Sequence, residues 1–180
     1  MVPVAIAWRR GALKDGALMQ VLRETTITTA KLFFILFGAL IFSNFVNRAG
    51  LPDGLIGIVN AFDLSPLGVI FIILLIYVLL GCVFESLSMI LLTVPIFAPV
   101  VANLGFDLIW FGILVVVVTE ISLITPPIGL NVFVLKGVLK DVPVTTIFKG
   151  VTPFWVADIF RLILLAGVPS IALFLPSMMN

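Results

Sequence analysis

The stretch Leu123-Ile124-Thr125-Pro126-Pro127-Ile128-Gly129 lies inside an apolar run of membrane length. Adjacent prolines end a helix, because each lacks an N–H and its ring clashes with the preceding turn. A helix that ends inside a bilayer leaves carbonyls without partners. Lipid supplies none, so such a break survives only against protein or a water-filled cavity. Any fold for this chain has to supply two half-helices and something that covers the gap between them. Breaks of this kind line substrate and ion pathways in secondary transporters.

The composition agrees with a membrane location. The chain is 62% hydrophobic and 11% charged over 180 residues, whereas a soluble domain carries about 25% charged residues. Cys82 is the only cysteine and there is no histidine, so neither a disulfide framework nor a zinc or iron site is expected. The net charge of +1 is informative only through its distribution. The N-terminal region does not read as a signal peptide. Val2 to Trp8 is too short for an apolar core, and the basic residues follow it.

Along the chain, Arg9, Arg10, Lys14 and Arg23 mark a polar arm in which Leu13, Ala17, Leu18, Val21 and Leu22 recur at helical spacing. The arm reads as an interfacial amphipathic helix or, equally, as a plain connector. We take residues 1–31 as this arm and 32–180 as a transmembrane repeat. A first span is expected from Ile27 to Val46, and Gly50-Leu51-Pro52-Asp53-Gly54 reads as a turn. Leu55 to Phe62 is too short to cross.

Pro66 to Gly81 and Leu87 to Ala102 are both strongly apolar. Each corresponds to about 24 Å of helix, short of a hydrocarbon core about 30 Å thick. Only Cys82-Val83-Phe84-Glu85-Ser86 joins them. A re-entrant helical hairpin is expected, with two ordinary spans as the alternative. Phe106 to Ile124 begins the next span, with Trp110 and Phe111 assigned to its interfacial end. Ile128 to Val138 resumes after the break, and a last span is expected from Phe154 to Leu175. The fold class is therefore all-α and polytopic. The basic arm and the loop holding Lys136, Lys140 and Lys149 fall on one side, which the positive-inside rule places in the cytoplasm. The C-terminus then lies on the far, periplasmic side.

The candidate site residues each have two readings. Thr125, Pro126, Pro127 and Gly129 form either a binding break or a structural kink. Glu120 is too costly to face lipid, so it serves an ion or acts as internal glue. Glu85 at the hairpin tip is a site carboxylate or a loop charge. Ser86 and Ser88 belong to the site or cap the second arm. Asn131 is a ligand or a packing amide. Pro95 and Pro99 bend the second arm, and Asp158 with Arg161 forms a structural pair.

One series of motifs carries a resemblance. Gly81, Phe84 and Glu85 at the hairpin tip are followed by Thr93-Val94-Pro95, Leu104-Gly105-Phe106-Asp107, Trp110-Phe111-Gly112 and Thr125-Pro126-Pro127-Ile128-Gly129-Leu130-Asn131-Val132-Phe133. Together with Pro153-Phe154 and Leu175-Pro176, these resemble the C-terminal part of the large permease subunit, DctM type, of TRAP (tripartite ATP-independent periplasmic) transporters. The resemblance implies one of two inverted repeats, with a re-entrant hairpin and a broken transmembrane helix. It implies a sodium-driven importer of C4-dicarboxylates or related organic acids in the inner membrane. A periplasmic substrate-binding protein would deliver the substrate, a small TRAP membrane subunit would pack alongside, and no nucleic acid is involved. The matching N-terminal repeat is expected from a longer gene, a partner chain or another copy. Sodium would be held by oxygens around Ile124, Thr125 and Pro127 with the tip backbone near Gly81. The half-helix after the break would offer N–H groups to a carboxylate.

Two other classes compete. An intramembrane enzyme needs a nucleophile with a base, or a metal, and the sequence has no histidine and no Gly-x-Ser-x-Gly; we expect no enzyme. A non-transporting structural subunit or gene fragment is the alternative to a permease.

Overall fold

The computed structural model describes residues 16–126 and 128–178. The arm residues Arg9, Arg10, Leu13 and Lys14, and Pro127 of the break, lie outside the described residues. What is described is helical, in this order: α1 Ala17–Arg48, α2 Leu51–Ala61, α3 Pro66–Gly81, α4 Ser86–Asn103, α5 Leu108–Ile124, α6 Leu130–Val138, α7 Val144–Gly167 and α8 Pro169–Ser177. Three of these, α1, α4 and α7, are long and apolar enough to cross a membrane. The protein is an all-α polytopic membrane protein.

The contacts divide the chain between Leu40 and Ile41 into two units. The first holds the beginning of α1, where Gln20 Nε2 donates to Glu24 Oε1 at 2.9 Å and the Thr26 hydroxyl donates to the Leu22 carbonyl at 2.8 Å. The expected start of a span at Ile27 does not mark a boundary, because α1 is one helix of 32 residues. No glycine or proline interrupts it before Gly38, so nothing stops the helix from propagating.

The second unit holds the remaining helices. The turn after α1 is shorter than the sequence suggested. Gly50 takes φ +70, a left-handed conformation that costs glycine little, and Pro52 then sits in the first turn of α2. The hairpin starts where it was expected. The Ser65 hydroxyl accepts the Gly68 N–H at 3.2 Å and Pro66 occupies the first helical position. α4 runs as a continuous helix of 18 residues through Pro95 and Pro99.

α5 is the centre of this unit. Trp110, Phe111, Leu114, Val115, Val118 and Ile121 along it are buried, and they pack with Ile70, Ile73, Leu74 and Tyr77 of α3, Met89 and Val101 of α4, and Leu162 and Ala166 of α7. This corrects the reading of Trp110 and Phe111 as interfacial residues. Trp110 is fully buried, stacks on Phe106 at 4.9 Å, and donates its indole N–H to the Leu165 carbonyl at 2.8 Å. The polar end of the indole finds its partner inside the protein rather than at a headgroup. Asp107 starts α5 by accepting the Ile109 N–H at 2.6 Å and the Trp110 N–H at 3.3 Å.

The last span also differs. α7 starts at Val144, ten residues before Phe154, and ends at Gly167. Pro169 forces its predecessor Val168 out of the helical region, at φ −129 and ψ 78, so the chain restarts as α8. The Asp158–Arg161 pair is present at 3.1 Å. Lys136, near the end of α6, donates to the carbonyls of Lys140 at 2.6 Å and Val142 at 2.9 Å and so closes the following loop.

Two contacts fix the hairpin. Tyr77 and Thr93, both buried, share a hydrogen bond of 2.7 Å between the arms, and the Thr93 hydroxyl also reaches the Met89 carbonyl at 2.7 Å. Threonine has one proton, so the consistent arrangement is tyrosine to threonine to carbonyl. Gly81 ends the first arm against α5, where an added Cβ would lie 1.8 Å from Ser122 Oγ and 2.4 Å from Ser122 Cβ.

Replacing Tyr77 with Phe is expected to destabilise the chain by about 1 to 2 kcal/mol, since it leaves a buried threonine oxygen short of a donor. The T93V change in that background should then cost less than it does alone, and additive costs in detergent unfolding would show that the hydroxyls do not communicate. G81A is expected to cost about 1 to 3 kcal/mol by overpacking. Adding S122G should restore most of that loss; a melt unchanged by G81A would mean the helices separate easily.

Candidate functional site

The break is built from the end of α5 and the start of α6. α5 stops because Pro126 restricts the residue before it to extended backbone, and Thr125 sits at φ −75, ψ 129. The last carbonyls of a helix have no partner within it. Here the Ile121 carbonyl accepts the Thr125 hydroxyl at 2.7 Å and the Ser122 carbonyl accepts the Thr125 N–H at 3.2 Å. Among the described residues, nothing donates to the carbonyls of Leu123 and Ile124.

On the other side, Gly129 takes φ +50 and ψ 77. A side chain there would be strained, and its Cβ would stand 3.3 Å from the Phe148 ring and 3.4 Å from the Thr125 carbonyl oxygen. The Gly129 carbonyl accepts the Val132 N–H at 2.8 Å and the Phe133 N–H at 3.2 Å. The Leu130 and Asn131 N–H groups bond to no described acceptor. Among the described residues, the break thus leaves carbonyl oxygens on one half-helix and N–H groups on the other. The first set suits a hard cation, the second an anion.

Thr125 is buried and its oxygen is shared. Besides donating to Ile121, it accepts the Trp155 indole N–H from α7 at 2.9 Å. A cavity of about 110 Å³ adjoins it, lined by Ile124, Pro126, Phe148, Val151, Thr152 and Trp155. Two more hydroxyls precede Thr125 at intervals of three, Ser122 and Thr119, and both are buried. Ser122 donates to the Thr119 carbonyl at 2.6 Å, whereas the Thr119 hydroxyl has no partner among the described residues. An unpaired buried hydroxyl costs about 1 to 3 kcal/mol.

The other candidates are placed differently. Gly81 reaches the last turn before the break through Ser122. Glu85 is exposed and is itself the cap of α4. Its Oε1 accepts the Leu87 N–H at 3.1 Å, and its Oε2 accepts the Ser88 N–H at 3.1 Å and the Ser88 hydroxyl at 3.2 Å. Of the serines expected to cap the arm, Ser88 instead donates to the glutamate, and Ser86 is half-buried. No hydrogen bond among the described residues joins Glu85, Ser86 or Ser88 to the break. Glu120 and Asn131 are both exposed. Glu120 lies on the opposite side of α5 from the core, beside exposed Val116.

Sequence reasoning missed Ser122, Thr119 and Trp155. The hydroxyl spacing Thr119–Ser122–Thr125 was a usable signal, because residues three apart share a helix face. Trp155 had none, since it sits 30 residues from its partner.

Residues 3–171 match the family model for the Tripartite ATP-independent periplasmic transporter, DctM component. The sialic acid TRAP transporter large permease protein SiaM of Vibrio cholerae is 33% identical over 160 residues, covering 89% of this chain and 37% of that protein. The C4-dicarboxylate TRAP transporter large permease protein DctM of Pseudomonas aeruginosa is 32% identical over 88% of this chain and 37% of its own length. The ectoine/5-hydroxyectoine permease UehC of Ruegeria pomeroyi is 31% identical over 85% of this chain and 36% of its own. The chain thus spans little more than a third of each of these relatives. The family model covers nearly the whole of this chain, and the chain belongs to the DctM family of TRAP transporter large permeases.

Proposed function

We propose that this chain forms one transport repeat of a sodium-coupled importer of organic acids in the bacterial or archaeal inner membrane. The observation that carries this reading is the break itself. Among the described residues, the carbonyls of Leu123 and Ile124 on one half-helix meet no donor and the N–H groups of Leu130 and Asn131 on the other meet no acceptor. Sodium takes hard oxygen ligands, and the Leu123, Ile124 and Thr125 oxygens are of that kind. A carboxylate is the group that a half-helix N-terminus favours. Sialic acid, C4-dicarboxylates and ectoine, named for three relatives, carry carboxylates, and isethionate, named for another, carries a sulfonate, so each offers an oxyanion. The choice among such acids rests on residues beyond this repeat.

The partners follow from the same reading. A periplasmic binding protein supplies the substrate and a small TRAP subunit lies beside the large one. A second repeat covers the face of α5 that bears Glu120. That face is exposed in this chain, and a carboxylate facing lipid costs about 2.5 to 3.5 kcal/mol on insertion scales. The hairpin enters from the periplasmic side and the C-terminus ends there. The same exposed face is what a scaffold subunit would present, which keeps the structural reading as the second one.

Uptake in proteoliposomes that hold the complete permease, its small subunit and its binding protein tests the ion site. T125V keeps the shape but removes the oxygen, and should raise the sodium concentration for half-maximal uptake about tenfold while expression holds. A sodium titration identical to wild type would remove the hydroxyl from the site. Cysteines placed singly at positions 83 to 86 should label slowly with a membrane-impermeant maleimide and faster without sodium. Labelling as rapid as that of a periplasmic loop would make the hairpin two ordinary spans.

A further inference from the structure

We propose that Trp155 is a positioning residue for the break: its indole N–H, held on a splinting face of α7, fixes the Thr125 hydroxyl so that a single oxygen lone pair stays open. The inference rests on the break being the ion-binding element, and it concerns how that element keeps its shape.

The argument starts from what each group can do. A threonine hydroxyl has one proton and two lone pairs, and an indole N–H only donates. The Thr125 proton is committed to the Ile121 carbonyl at 2.7 Å. The Trp155 N–H takes one lone pair at 2.9 Å. One direction on the oxygen remains. Without the indole, the hydroxyl is free to offer either lone pair or to change rotamer, and a ligand would have to order it on binding.

The rest of α7 makes Trp155 more than a chance contact. Phe148, Val151, Thr152 and Trp155 follow the spacing of one helix face and line the same cavity with Ile124 and Pro126. The Phe148 ring lies 3.3 Å from where a Cβ on Gly129 would stand. One face of α7 therefore touches both ends of the break, with a ring against Gly129 and a hydrogen bond to Thr125. The Thr125 side of the break has few internal restraints of its own. Pro126 supplies no N–H, and among the described residues only the Thr125 N–H and hydroxyl tie Thr125 back to α5. The Trp155 bond is the long-range polar tie it has among the described residues.

The test uses W155F, which keeps a ring of similar reach but has no N–H, along with T125V, T125S and the double variant W155F/T125V. Hydrogen exchange on the complete chain in nanodiscs reads the amides of Thr125, Val132 and Phe133, which bond to the Ser122 and Gly129 carbonyls on the two sides of the break. W155F and T125V should each speed their exchange about three- to tenfold, the factor for one net hydrogen bond. The double variant should exchange no faster than the faster single one, and T125S should stay near wild type. Sodium-dependent uptake by the complete permease supplies the second readout. W155F should raise the half-saturating sodium concentration and leave the maximal rate unchanged, which simple loss of packing would not do. Exchange at the break that is unchanged in W155F, or that adds in the double variant, overturns the proposal. If W155F fails to fold, T125V and T125S carry the same comparison from the acceptor side. If wild-type uptake shows no sodium dependence, the ion reading fails, and the exchange data still decide whether the tether exists.

Discussion

Everything in this chain is arranged around one prohibition: a backbone carbonyl or N–H without a partner cannot face lipid. α5 ends in mid-run because Pro126 denies the helix a donor. The exposed ends then require neighbours. α3 presses against α5 through Gly81, α7 lays Phe148 and Trp155 beside the break, and α6 restarts the helix after Gly129. The apolar packing of α3, α4, α5 and α7 holds these neighbours in place. The helices thereby hold the ends of the break at a fixed point in the bundle.

The chain uses hydroxyls where a soluble protein would use charge. Ser122 and Thr125 each return a proton to a carbonyl of their own helix, and Thr93 does the same in the hairpin. Such bonds are local and cost little to arrange in an apolar setting. They leave the oxygens available as acceptors. Tyr77 uses Thr93 in this way and Trp155 uses Thr125. Two charges do structural work at helix ends, where Glu85 caps α4 and Lys136 closes a loop.

The bounds of the hairpin's first arm and the position of the break were legible in the sequence because proline, glycine and N-cap residues act locally. Pro66 and Gly81 bound the first arm as expected, and the Pro126 break stands where its chemistry puts it. The last span was misdrawn because its true start, Val144 after Pro143, lies in a polar stretch that hydropathy alone discounts, while Pro169 divides its far end. Trp110 was misplaced because a tryptophan near a helix end suits both a headgroup belt and a buried carbonyl, and only packing separates the two. Among the site residues, Thr125 and Gly129 could be named from their neighbours in sequence. Trp155 could not, since its role depends on a helix that returns from elsewhere.

The contact between Gly81 and Ser122 has a mechanical meaning. A side-chain oxygen fills the space where any other residue at position 81 would carry its Cβ. The hairpin's first arm is thereby seated in a notch on α5. A notch of this kind resists sliding and rotation while still permitting the joined pair to travel together. Any displacement of the broken helix would therefore draw the first arm along with it, so a parting surface has to run along some other face of the bundle.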